Sequence, residues 1–450
     1  MKFLALLFFI SVTLLLLNNC DSTEPKFEPD LQLEPDLQLE LDDISCVEAW
    51  LQVKTKDLTL PAELTLKQFN PNGDTISQNY VLTTQDSLLY IDSLLPNQNY
   101  SFQGSSIQSA AGGPVSSNKV AATTLDTTSH NFTWQTFTFG QHQHSVLYDV
   151  AVIDENNIWA VGEIYMNDSL GNPDSKRYNA AKWDGISWDL KRIPISLNGT
   201  PFYPVIKAVF AFNQNDIWFE AGIHWDGVSF KQVPFNIYFP SNVNKIWGSS
   251  SNDLYIVGNA GNIAHYGGSS IGWKKIESGT TVDLVDVWGT AGSNTLWTCG
   301  YTDDYGISSL IRINKNNPEI IFEGLSNSQN NGHYVGPISG VWSDNEYRVF
   351  MMNWGGIYLQ KNNNQFLLEK EIAKFSDVGF GIDGTAYNNV FACGEGFVGH
   401  WNGYSYKEYP ELFQQQRTFK SVKANANTVC AVGFDYNSPI YSNAVIVLGK

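Results

Sequence analysis

One recurrence constrains this chain more than any other feature. "WDGISW" at 183–188 returns as "WDGVSF" at 225–230, as "YGGSSIGW" at 266–273 and as "WNGYSY" at 401–406. Each copy closes a longer unit of four strand-sized runs. The first run carries "DVWG"-like residues, as in "LVDVWG". The second resembles "IWAVG", the third ends in "WDG", and the fourth opens on the second aromatic. Seven such units follow residue 133, each about 45 residues long, a period at which a unit cannot bury its apolar face alone and stacks on its neighbours.

This pattern predicts an all-β chain whose main body is a seven-bladed β-propeller over 133–450. "WDGISW" then reads as a tight turn between third and fourth strands. Gly185, Gly227 and Gly403 supply the backbone freedom of that turn, and Trp183, Trp225 and Trp401 are expected to pack between neighbouring blades. The seventh unit stops one strand short, after "AVIVLGK". "TWQTFTFG" (133–140), ahead of the first unit, matches "SWDLKRIPI" and "SFKQVPF" in register. The expectation is that it completes the last sheet beside Val445 to Leu448, because a closed ring exposes no strand edges.

The "DVWG…HWDG..W" units are similar to those of bacterial propellers related to BNR-repeat and photosystem II stability-factor-like proteins. The resemblance spans about 317 residues and implies a fold rather than an activity, since propellers host many functions. WD-repeat proteins share the "WD" at 183–184 and 225–226, but the Gly-His element that precedes it there is missing.

Residues 46–126 carry alternating runs ("EAWLQVK", "AELTLKQF", "SLLYIDSL", "YSFQGSSI", "NKVAATTL") with "NPNGDT" as a turn, which predicts a small β-sandwich. "SLLPNQNYSF" resembles the fibronectin type III pattern. That resemblance implies Trp50 as a core tryptophan and Tyr100 as the corner tyrosine.

The N-terminus reads "MKFLALLFFISVTLLLLNNC". One Lys and a fifteen-residue apolar run make a signal segment, short for a membrane span. Its end at Cys20 resembles a bacterial lipoprotein signal, with Asn19 where that motif has a small residue. It implies a signal peptide over 1–19, a lipidated Cys20, and localisation at the bacterial outer membrane or cell surface. An ordinary cleaved signal with an incidental Cys is the alternative. Residues 21–45 hold nine acids, one Lys and three Pro, so 20–45 is expected to be an extended acidic tether.

Composition narrows the partners. A net charge of −18 with only five Arg will not neutralise phosphates, which excludes nucleic acid. Cys46, Cys299, Cys393 and Cys430 fit no metal spacing and, the last three lying in apolar runs, are expected to be buried thiols.

The long connections follow second strands (163–178, 301–307, 434–443) and fourth strands (196–205, 236–242, 325–337), which open on one face of a propeller. Variable loops on a rigid scaffold are where ligands bind. Candidate ligand-binding residues are therefore Tyr165, Arg177, Tyr178, Tyr203, Tyr238, Asp303, Asp304, Tyr305, His333, Tyr334 and Tyr436, with Asp168, Asp174, Phe202 and Phe239 beside them. Aromatics next to acids and amides suit a glycan or a protein ligand. The expected role is non-catalytic binding or scaffolding by a monomeric lipoprotein, without a cofactor, anchored to the membrane only by lipid.

The alternative is a glycan-active enzyme in the central pocket. A sialidase needs three converging Arg, yet Arg177, Arg192, Arg312, Arg348 and Arg417 show no such spacing. A carboxylate pair stays open, and convergence of two or three acids in the channel would favour it. "HQH" (142–144) offers two nitrogens without a nearby third ligand. His224, His265 and His400 each precede the repeat aromatic and are expected to be structural. Asp303–Asp304 and 167–175 offer oxygens for calcium but match no calcium motif.

Overall fold

The computed structural model describes residues 37–56, 58–107, 113–197, 199–233, 242–290, 292–326, 336–344, 348–361, 368–438 and 441–450. Cys20, Tyr238, Phe239, His333 and Tyr334 lie outside them.

Seven strands open the described chain: β1 (Leu37–Ile44), β2 (Ala49–Thr55), β3 (Ala62–Phe69), β4 (Thr75–Leu82), β5 (Asp86–Ile91), β6 (Asn99–Ser106) and β7 (Val115–Thr123). They form two sheets, β1-β2-β5 and β4-β3-β6-β7. Alternate residues of β3 (Ala62, Leu64, Leu66) and of β2 (Ala49, Leu51, Val53) face one core with Leu37, Leu39 and Phe102, as the period of two requires. Two sequence expectations change here. The acidic tether ends early, because Leu37 and Leu39 alternate with Gln38 and Glu40 and so present an apolar face that β2 pairs with and buries. Trp50 is not in the sandwich core. It sits on the opposite face of β2, its ring 5.5 Å from Tyr90 and 5.4 Å from the Arg348 guanidinium. Tyr100 does join the core, and its hydroxyl accepts the Leu95 N–H at 2.9 Å.

Beyond residue 133 the described residues form seven four-stranded antiparallel sheets and one small hairpin, Ile195–Leu197 with Thr200–Phe202. Each sheet is open, running from a first to a fourth strand. The first six use consecutive strands over 146–191, 209–232, 243–277, 283–325, 338–374 and 379–408. The seventh takes three strands from 417–449 and its fourth from β8 (Trp134–Phe139). β8 lies antiparallel to Tyr441–Gly449, with Trp134 opposite Gly449 and Phe139 opposite Ala444. The first strands of successive sheets pack side by side, and that of the seventh packs against that of the first.

The repeat residues fall where the turn argument puts them. Gly185, Gly227 and Gly403 have φ of 95°, 88° and 90°. The carboxylate of Asp184 accepts the N–H groups of Ile186 and Ser187, Asp226 accepts those of Val228 and Ser229, and the Asn402 amide oxygen those of Tyr404 and Ser405. Trp183 packs among Cys430, Ala444 and Ile446 of the seventh sheet, and Trp401 among Trp342 and Phe350 of the fifth.

The three repeat histidines are built alike. His224, His265 and His400 bond Asp216, Asp253 and Asn389 at 2.8, 2.7 and 3.0 Å. Each ring stacks on the aromatic two residues further along the partner strand, Trp218, Tyr255 and Phe391, at 4.4–4.5 Å. All four cysteines among the described residues are free and buried, and burial pushes the Cys46 and Cys393 thiols up to about 12.

Candidate functional site

The inner strands do not run straight. In six sheets the ladder between first and second strands skips one residue near the start of the first strand: Tyr148, Asn244, Val285, Ser339, Phe380 and Lys420. A β-bulge turns its extra residue away from the sheet. All six line one cavity of about 390 Å³, together with Lys207, Asn259, Asp283, Tyr301, Asp303 and Tyr305. In the second sheet, Lys207 stands two residues ahead of the first strand (Val209–Asn213). There the Glu220 carboxylate accepts the Lys207 N–H at 2.6 Å, a side chain standing in for the ladder.

For four of the six bulges the sequence reason is a glycine in the second strand, opposite the residue just before the bulge, in "WAVG", "WTCG", "FACG" and "CAVG". A Cβ on Gly162, Gly300, Gly394 or Gly433 would lie 1.8–2.0 Å from a backbone oxygen of the first strand, that of Val146, Asp283, Val378 or Thr418. Only glycine lets the bulged strand come so close. The glycine is a signal legible in the sequence, whereas loop length is blind to it.

Next to the cavity lies a buried cluster of charged groups. The Lys245 ammonium lies 2.7 Å from Asp149 Oδ1, which also accepts the Ser421 hydroxyl at 2.7 Å. Lys423 meets Asp383 at 2.8 Å. Asp286 accepts the N–H groups of Val341 and Val287, and burial, partly offset by Lys245 and Lys423, raises its carboxyl to about 6.

The cavity is not electrically uniform. On the seventh, first and second sheets stand Lys420, Tyr148 and Lys207. The Lys420 ammonium lies over the rings of Phe380 and Phe434 at 4.2 and 5.7 Å, and that of Lys207 lies 5.8 Å from the Tyr148 ring. Burial lowers the Lys420 pKa. On the fourth sheet stand Asp283, Asp303, Tyr301 and Tyr305. The Asp283 carboxyl accepts the Ala260 N–H at 2.6 Å. It is held above its ordinary range by burial first, then by the charge and hydrogen bond of Asp303.

Of the residues expected at the site, Asp303 and Tyr305 line this cavity. Tyr305 packs on Trp354 at 4.7 Å. Tyr165 and Arg177 come together beside it, not in it. Glu163 accepts the Tyr165 hydroxyl at 2.8 Å, Arg177 at 3.0 Å and the Tyr148 hydroxyl at 3.2 Å. That ties the loop to the cavity wall. Tyr178 is covered by Arg192 at 4.0 Å, which pairs with Asp174 at 2.5 Å. Asp304 caps its own turn through Thr302 and Gly306. Asp168 does the same for Leu170 and Asn172. Tyr203 is half-buried and Phe202 lies exposed in the small hairpin.

Tyr436 requires a correction: 434–443 is not an open loop. Its strands continue as a hairpin, with Tyr436 opposite Ser442. The polar-aromatic alternation "FDYNS" carries the ladder on. His142 of "HQH" bonds the Met166 carbonyl at 2.9 Å. The five arginines do not converge. Each has its own carboxylate: Glu163, Asp174, Glu319, Asp344 with Asp43, and Asp435 for Arg177, Arg192, Arg312, Arg348 and Arg417.

No protein-family model matches the chain, and no curated protein matches it. Among solved structures, the chain is similar to one described as YCF48 bound to D1 peptide, at 15% identity, covering 70% of this chain and 94% of that one, with a TM-score of 0.49. It is similar to YCF48 from Cyanidioschyzon merolae at 14% identity, 70% and 98% coverage and a TM-score of 0.47. The WD40 β-propeller domain of Doa1 gives 12% identity, 71% and 97% coverage and a TM-score of 0.48.

Proposed function

We propose that the chain is an exported lipoprotein whose seven four-stranded sheets are the blades of one closed propeller, and that it binds, without catalysis, a glycan or protein ligand at the mouth of the central channel. One observation carries the binding reading: six independent bulges turn their unpaired residues into a single cavity. Strand pairing alone does not require six coincident irregularities, and bulges are how sheets re-aim side chains at sites. The cavity lining of aromatic rings, amides and a few charges is that of a recognition pocket. Support for the ring comes from the side-by-side order of the inner strands and from β8 beside Tyr441–Gly449. The three-plus-four strand order of the N-terminal sheets suits a fibronectin type III-like spacer. The apolar run ending at Cys20 is the basis for the lipid anchor, and metabolic labelling with palmitate tests it against Cys20→Ala.

The glycan-active enzyme is the second reading, because two acids, Asp283 and Asp303, do meet in the channel mouth. Their contact weighs against it. Glycosidase carboxyl groups flank the scissile bond about 5–9.5 Å apart, whereas these two interact directly.

The test is binding of the purified full chain to glycan and peptide arrays, beside Tyr148→Ala and Phe380→Ala. A ligand retained by the wild type and lost by both variants supports the site. Arrays on which nothing binds, or on which the variants bind equally, overturn it.

A further inference from the structure

Resting on that binding reading, we infer that the cavity takes a zwitterionic ligand, a short peptide with both ends free, its carboxylate on the Lys420–Lys207 side and its ammonium on the Asp283–Asp303 side. The first strands follow one another in order around the axis. The seventh, first and second sheets are neighbours and bring Lys420, Tyr148 and Lys207; the fourth brings both acids. Between the two arcs lie Asn244 of the third sheet on one side and Ser339 and Phe380 of the fifth and sixth on the other. Among the residues that line the cavity, charge is therefore sorted by side, with neutral groups between.

The two arcs do not cancel by contact. Neither Lys207 nor Lys420 forms an ion pair among the described residues; each ammonium rests on aromatic faces instead. Glu395 and Glu220 act on these ammoniums without bonding either one, so each half-buried ammonium lacks a counter-charge in contact with it, which burial makes costly. A ligand carboxylate supplies one. Across the cavity, two carboxyl groups in contact repel when both ionise, and a ligand ammonium relieves that repulsion. Burial first, and Asp303 after it, hold the Asp283 carboxyl above its ordinary range. A neutral glycan satisfies neither arc, and a nucleotide satisfies only one. A tripeptide is about 10 Å long when extended, and its amide groups match the Asn244 and Ser339 side chains between the arcs.

Calorimetric titration of the full chain with trialanine, N-acetyl-trialanine and trialanine amide tests this. Trialanine is expected to bind, and each cap to weaken binding at least tenfold. Lys420→Met removes the charge while keeping an apolar stem against Phe380 and Phe434. It should bind trialanine and its amide equally, and Lys207→Met should narrow the same gap. Asp303→Asn should abolish the preference for the free amino end. Capped peptides that bind as well as trialanine overturn the inference. So does trialanine that fails to bind while the arrays yield a ligand lost in Tyr148→Ala and Phe380→Ala; the binding reading then stands alone. If no array ligand and no peptide binds, both fall.

Discussion

Lys245 reaches Asp149 from a sheet two places away, so one side chain helps hold opposite parts of the axis together. Its carboxylate partner is buried and, among the described residues, takes the Ser421 hydroxyl and the Val209 N–H besides. Lys245→Met strands that carboxylate, and breaking a buried pair costs about 3–5 kcal/mol. Urea unfolding should show the loss, with Asp149→Asn in the same background restoring part of it.

His400 makes a second prediction at this scale. Its Nε2 bonds Asn389 and its Nδ1 lies 3.0 Å from His130 Nδ1. Nε2 as donor to the Asn389 amide oxygen leaves Nδ1 as acceptor, so the His400 ring is neutral and His130 donates to it. Burial, then His130, lowers the His400 pKa from 6.5 to about 3. Between those values the unfolded chain binds more protons than the folded one, so folding stability must fall as pH drops from 6.5 toward 3. Asp286, raised to about 6, works the other way over the upper part of that window, favouring the folded state at low pH. His400→Phe should therefore flatten or invert the acid limb of the urea midpoint against pH, while Asp286→Asn should steepen it.

At the scale of the element, the bulge and its glycine are one device. Gly300 pairs opposite Leu284, just before the skipped Val285, and a Cβ there meets the Asp283 oxygen at 1.8 Å. Gly300→Ala must push the first strand of the fourth sheet away and carry Asp283 with it. The expected cost is about 1–3 kcal/mol, the usual range for overpacking, with weaker ligand binding. Gly279→Ala is the control. Its Cβ has space, although its φ of 84° still carries strain, so stability falls while binding holds. Thermal melts and the array ligand separate the two effects.

For the whole molecule, β8 is the decisive strand. It is the fourth of its sheet and lies some 300 residues from its partner in sequence. Deleting 134–139 leaves the edge of Tyr441–Gly449 unpaired, and such edges recruit other chains. The shortened chain should melt lower and elute as larger species on size exclusion. Adding the 133–140 peptide should reverse part of the change. The sandwich is bound to the same body. Cys46 and Val47 pack with Trp342, Phe350 and Trp401, and Arg348 reaches Asp43 at 3.2 Å.

The sequence alone determined the strands, the turns and the repeat. Those depend on local periodicity, on glycine at φ near 90° and on polar side chains that bond their own backbone, and all of that is written within six or seven residues. It also placed the structural histidines, because each directly precedes the repeat aromatic, and led to the expectation of four buried thiols. It did not reveal the cavity. Loop length singled out Asp303 and Tyr305, which do line it, together with Tyr165, Tyr178 and Tyr436, which do not. The residues that meet are Tyr148, Asn244, Phe380 and Lys420, which stand on first strands far apart in the chain. Which side chains share a pocket depends on how sheets stack around an axis and where each ladder slips by one residue. Trp50 shows the same division: the fibronectin type III resemblance implied a tryptophan in the sandwich core, and only packing between domains decided which body it faces.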